Sequence, residues 1–151
     1  MNKKFDNLIK NKGIIGVDTN VFIYQFQAHP KYSPLTNQLF LLLERKKVLL
    51  NTSFISLIEV LSFPGLKDKK NLSELYETFL LHTDNLKVIY PNLSISKKTI
   101  ALRKKYKLSV PDCLQIASAW DAKSKLFITN DEKLKKVEDI EVLVLEDYLK
   151  I

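Results

Sequence analysis

The chain has 151 residues, 46% of them hydrophobic and 27% charged, and 24 Lys and Arg against 17 Asp and Glu give a net charge of +7. That length supplies one sizeable core and no room for two ordinary domains, so residues 1–151 are expected to form one domain. A lone cysteine (Cys113) and two histidines (His29, His82) exclude an internal disulfide framework and a Cys/His zinc site, and only three glycines exclude a phosphate-cradling glycine loop.

The opening MNKKFDNLIKNKG is basic with no apolar run behind it, which is not the pattern of a secretory signal. Residues 1–13 read as a basic arm or a frayed end. Ile14–Val17 is a β-branched run and is predicted as a buried strand. A short helix over Asn20–Gln27 follows, capped by Asp18 or Thr19 and ended at His29-Pro30. Ser33-Pro34 opens the next helix, with Leu35, Leu39, Leu42 and Leu43 at helical spacing. Val48–Leu50 is the second strand, and Ser53 caps a helix that stops before Pro64-Gly65. Another helix starts at Asn71 or Ser73. Leu86–Tyr90 is a strand, and a basic helix runs from Ser94 to about Lys107. Pro111 begins a helix to about Lys123, Leu126–Thr129 is a strand, a short polar helix follows, and Val142–Leu145 is the last strand. Strand and helix alternate about five times, the pattern of a parallel sheet covered on both faces. Ligands of such folds lie beyond the carboxyl ends of the strands.

Three windows are nearly free of charge: Gly13–Pro30, Val48–Leu66 and Leu108–Trp120. At ordinary composition they would hold about five, five and three to four charged residues. Each holds one, and each time it is an acid: Asp18, Glu59 and Asp112. A carboxylate in an apolar segment is costly without a cation, a set of hydrogen-bond donors or a metal, and no Lys or Arg lies in any of the windows. A fourth acid, Asp131, follows the strand Leu126–Thr129. Each has a plain reading too: Asp18 as a helix cap, Asp112 and Asp131 as helix-start residues, Glu59 as a snorkelling surface group. Together, carboxylates without His or Cys suit a hard cation, Mg²⁺ or Mn²⁺.

The segments VDTNVFIY, TSFISLIEVL, VPDCLQIASA and FITND, in this order, resemble the PIN domain and most closely the VapC-type ribonuclease toxins, over about Ile14 to Tyr148. The resemblance implies an α/β fold: a Rossmann-like α/β/α sandwich with a central, mainly parallel sheet of about five strands. It implies Mg²⁺- or Mn²⁺-dependent cleavage of RNA phosphodiester bonds, with Asp18, Glu59, Asp112 and Asp131 as metal-binding and catalytic residues and Asn20 and Thr129 supporting them. It also implies a homodimer and a cognate antitoxin. The chain departs from the family pattern in its N-terminal extension and in Cys113, where alanine is frequent.

Setting aside the four acids leaves a net +11 on the rest of the chain, a surplus suited to RNA. Lys97, Lys98, Arg103, Lys104, Lys105 and Lys107 form a run with no acid between them, read as an RNA-binding face or as a solvated helix surface. Tyr24, Tyr32 and Trp120 are candidates for stacking on unpaired bases. Two other readings stay open. One is a catalytically silent PIN-like module that binds nucleic acid or acts as a scaffold. The other is a phosphotransferase with Asp18 as nucleophile, which needs an acid two residues on, where Asn20 stands. No stretch is long and apolar enough to span a membrane, so a cytoplasmic protein without a membrane partner is expected.

Overall fold

The computed structural model describes residues 1–149. Five strands, β1 (Ile14–Val17), β2 (Leu49–Ser53), β3 (Leu86–Ile89), β4 (Leu126–Thr129) and β5 (Glu141–Val144), form one sheet in the order β3-β2-β1-β4-β5. All four pairings are parallel. The order reverses beside β1: β2 and β3 are laid down on one side of it, β4 and β5 on the other. That makes the crevice past the carboxyl ends of β1 and β4 the topological switch point.

Among the described residues seven α-helices flank the sheet: α1 (Lys3–Lys10), α2 (Thr19–Phe26), α3 (Ser33–Glu44), α4 (Phe54–Leu61), α5 (Lys70–His82), α6 (Leu93–Tyr106) and α7 (Val110–Asp121). The side chains of β1 alternate between two cores. Ile15 and Val17 face a large cluster with Phe22, Leu39 and Leu80, whereas Gly16 lies on the face that α7 covers. There α6, α7 and the turn at Glu132–Lys136 enclose Ile95, Leu102, Ile116, Phe127 and Leu134. The expected α/β/α sandwich with a parallel five-stranded sheet is therefore what the chain forms.

The elements differ from the sequence reading mainly at their ends. Thr19 starts α2, with Asp18 as N-cap accepting from the Thr19 N–H. Strand β2 extends through Asn51, Thr52 and Ser53, whose polar side chains hide a buried strand. The larger difference is α1. Residues 3–10 form a helix rather than an arm or a frayed end, with Asn2 capping it and Phe5 and Ile9 fully buried. Asn2 Nδ2 donates to the Tyr148 carbonyl at 2.6 Å, Phe5 packs edge-on against Tyr148, and Lys12 pairs with Glu141. The apolar residues of this segment recur at i and i+4, a weak helical signal among polar neighbours.

The basic helix α6 is tied to the loop before β5 through Asp139. Lys98 Nζ donates to Asp139 at 2.7 Å and the Tyr106 hydroxyl at 2.6 Å, with Lys105 Nζ at 3.4 Å. The Lys98 hydrogen bond, then that of Tyr106, holds the Asp139 carboxyl down at about 2. A depressed carboxyl contributes stability that is present above its unfolded value and is lost as pH falls through the folded one. Asp139→Asn is therefore expected to lower stability by about 1 kcal/mol at pH 7, with the gap to wild type closing as the pH drops from 4 towards 2. Urea unfolding across that range measures it.

Candidate functional site

Four segments deliver acids to the switch-point crevice. Asp18 is the first residue after β1, and its carboxylate is held from two sides: Oδ1 accepts from the Thr19 N–H at 2.8 Å and Oδ2 from the Thr129 hydroxyl at 2.6 Å. Thr129 ends β4, so this bond ties the two switch-point strands together. Asn20 Nδ2 lies 3.4 Å from both Asp18 Oδ2 and Thr129 Oγ1. Glu59 projects from the exposed side of α4, with the Thr19 hydroxyl 3.4 Å from its Oε1. Asp112 sits in the first turn of α7, where Ser109 caps the helix and accepts from the Asp112 N–H. Asp131 caps the turn after β4, and its N–H donates to Thr129 Oγ1 at 3.0 Å.

Asp18, Asn20, Glu59, Asp112 and Asp131 all line one cleft of about 430 Å³, with Thr19 and Gln115 also in its lining and Ile23, Ile55, Ile58 and Pro111 as its apolar walls. Among the described residues no Lys, Arg or His forms an ion pair with any of the four acids. The electrostatic consequence falls on Asp18. Burial pushes its carboxyl up to about 6, the bonds from Thr129 and the Thr19 N–H work against that, and the charges of Asp112 and Glu59 add to it. Glu59 is raised as well, by burial first and then by Asp112. The cleft concentrates negative charge and holds no cation of its own.

The chemistry of the donors fits a hard divalent cation. Every polar side-chain atom offered to the cleft by the four acids is an oxygen, and the buried amide oxygens Asn20 Oδ1 and Gln115 Oε1 have no hydrogen-bond partner. Among the described residues no three carboxyl, imidazole or thiol groups converge closely enough to hold one ion directly. The fit is to an ion that keeps much of its water and is bound partly through it, the habit of Mg²⁺.

The cationic run is placed elsewhere. Lys97, Lys98, Arg103, Lys104, Lys105 and Lys107 lie on or at the end of α6, and none lines the cleft. Lys98 and Lys105 are paired with Asp139, and Arg103 donates to the Leu108 carbonyl. Lys97, Lys104 and Lys107 form no ion pair among the described residues. The candidate stacking rings are engaged internally: Tyr24 stacks on Tyr32 at 4.4 Å, and Trp120 lies beneath Lys98 and Lys123. Sequence reasoning missed Thr19 and Gln115 as parts of the cleft. For Gln115 the available signal was an uncharged polar side chain one turn after Asp112 in an otherwise small and apolar run.

The model of one family, the PIN domain, matches residues 15–140. The chain belongs to the PIN domain family. No curated protein matches its sequence. Solved structures share the PIN fold at low identity. One is a chain of VapBC2 from Rickettsia felis bound to a promoter DNA fragment: TM-score 0.67, 21% identity, 87% of this chain and 98% of that one covered. A chain of DNA-bound VapBC from Salmonella typhimurium gives a TM-score of 0.64 at 17% identity, covering 89% of this chain and 98% of that one. A toxin–antitoxin complex from Klebsiella pneumoniae gives 0.61 at 21% identity, covering 88% and 97%. Among the described residues of this PIN domain no helix is long and apolar enough to cross a membrane.

Proposed function

We propose that this PIN domain is an endoribonuclease dependent on Mg²⁺ or Mn²⁺, acting as the toxin of a VapBC-type pair. The observation that carries the reading is the cleft itself: four carboxylates from four separate segments meet at the switch point with no protein cation among them. Asp18, Glu59 and Asp112 would hold the ion directly or through water, with Asp131 completing its surroundings. Such an ion, when bound, supplies neutralisation of phosphate charge and acidification of water for attack on phosphorus. Thr129 and the Thr19 N–H keep Asp18 fixed and accepting. Ile23, Ile55, Ile58 and Pro111 supply the apolar part of the cleft's lining beside the acids. Lys97, Lys104 and Lys107 offer free positive charge for the flanking RNA backbone, which predicts binding that weakens as salt rises.

Two partners belong to this reading. Three of the solved structures similar to this chain come from VapBC or other toxin–antitoxin complexes, which supports a cognate antitoxin here, and a cationic segment of such a partner would meet the charge of the cleft. A homodimer is proposed on the family resemblance. One observation favours a second reading, a silent module that holds RNA without cutting it: the acids do not converge into a direct coordination sphere.

Incubation of the full chain with single-stranded RNA separates the two. Cleavage is expected with Mn²⁺ or Mg²⁺ and its loss with a chelator. Retention of RNA with no cleavage in either metal would establish the silent module.

A further inference from the structure

Beneath the cleft lies a buried polar cluster that joins the helices carrying the acids. Thr19 follows Asp18, Ser56 sits one turn before Glu59, and Gln115 one turn after Asp112, so each acid has a companion on its own segment. The companions touch one another. Gln115 Nε2 is 2.9 Å from Thr19 Oγ1 and 2.9 Å from Ser56 Oγ, and the two hydroxyls are 2.9 Å apart. Gln115 is 3% exposed, Ser56 0% and Thr19 5%.

The proton directions in this cluster are fixed by its far end. Thr52 Oγ1 has one proton and two oxygen neighbours at 2.7 Å, the Val17 carbonyl and Ser56 Oγ. A carbonyl can only accept, so the Thr52 proton goes to Val17 and the Ser56 proton fills the second contact. Ser56 then accepts from Gln115, while the single Thr19 proton lies between two acceptors, Ser56 Oγ at 2.9 Å and Glu59 Oε1 at 3.4 Å. The Gln115 amide is thereby held with its NH₂ inward, donating to both hydroxyls, and cannot turn over without setting its oxygen against the lone pairs of Ser56. The bonds run one way from α7 through Ser56 of α4 and Thr52 of β2 to the backbone of β1 immediately before Asp18, with Thr19 of α2 joined both to this cluster and to Glu59.

We propose that Thr19, Ser56 and Gln115 are positioning residues: a buried polar clamp that sets the mutual spacing of Asp18, Glu59 and Asp112 around a divalent cation. The inference rests on the metal-dependent reading above and adds to it the residues that hold the site in register. Side chains behind a metal's ligands commonly govern affinity by orienting those ligands.

The test is Mn²⁺ affinity by titration calorimetry, beside melting in chelator, for the full chain with Thr19→Val, Gln115→Met and Thr19→Ser. The two apolar replacements keep shape but each leaves a buried polar partner unmatched, so melting in chelator is expected to fall modestly, and less in Gln115→Met, which also removes an oxygen that has no partner. Mn²⁺ affinity should fall about 10- to 100-fold in both, and Thr19→Ser should retain most of it. Wild-type affinity in Thr19→Val and Gln115→Met would overturn the clamp while leaving the metal reading intact. Equal loss of affinity and of melting temperature in all three variants would make the cluster a folding element and overturn it too. Absence of Mn²⁺ binding by wild type would overturn the metal reading itself.

Discussion

Asp18→Asn is expected to reduce metal-dependent RNA cleavage by about 10³-fold, the scale set by removal of a principal electrostatic element of an active site. The substitution isolates chemistry from folding. Asparagine caps a helix as well as aspartate does, and its carbonyl can still accept from Thr129. Stability at pH 7 should not fall. The Asp18 carboxyl sits at about 6 in the folded protein, above its ordinary value, so whatever it contributes is present in acid and already lost once pH rises past 6. At neutral pH the wild type carries a charge that burial disfavours, and the variant does not. Initial cleavage rates in Mn²⁺, with melting temperatures in chelator alongside, measure both halves. Cleavage by Asp18→Asn at the wild-type rate would discredit the site.

Gly16→Ala should produce the largest loss of stability from a single methyl group. Gly16 is the middle of β1, flanked by Asn51 on β2 and Phe127 on β4. A Cβ built there would lie 2.5 Å from Ala119 Cβ and 2.9 Å from Phe127 Cδ2, so α7 or the sheet must give way. Overpacking of this kind costs about 3 kcal/mol, a large part of the stability of a domain, and valine should cost more. The expected signature is a lower urea midpoint with an unchanged slope. Because α7 also carries Asp112 and Gln115, pushing it off the sheet should weaken Mn²⁺ binding even where the variant remains folded.

How much of this could be read from the residues themselves follows from what kind of signal each feature leaves. Asp18, Glu59 and Asp112 were legible because an isolated charge in an apolar stretch has few inexpensive explanations. The parallel sheet was legible because short β-branched runs alternated with helical ones. Helix α1 was not, since Lys3, Lys4, Asp6, Asn7 and Lys10 mask the Phe5 and Ile9 that bury it. The polar end of β2 was not, because Thr52 and Ser53 satisfy their hydroxyls through Val17 and the N-terminus of α4, partners that exist only in the folded chain. The cluster around Gln115 fails for the same reason: three uncharged side chains, far apart in sequence, acquire meaning only when their helices pack. The basic run on α6 shows the converse. Its charge was evident, but Asp139, which occupies two of its lysines, lies more than thirty residues away.

The bond between Thr129 and Asp18 spans 111 positions, and β1 cannot gain its second neighbour until β4 has been made. During translation, therefore, a nascent chain that has exposed its first three acids still lacks the strand and the hydroxyl that fix Asp18. Assembly of the cleft waits on β4, which is made after the segments that carry Asp18, Glu59 and Asp112.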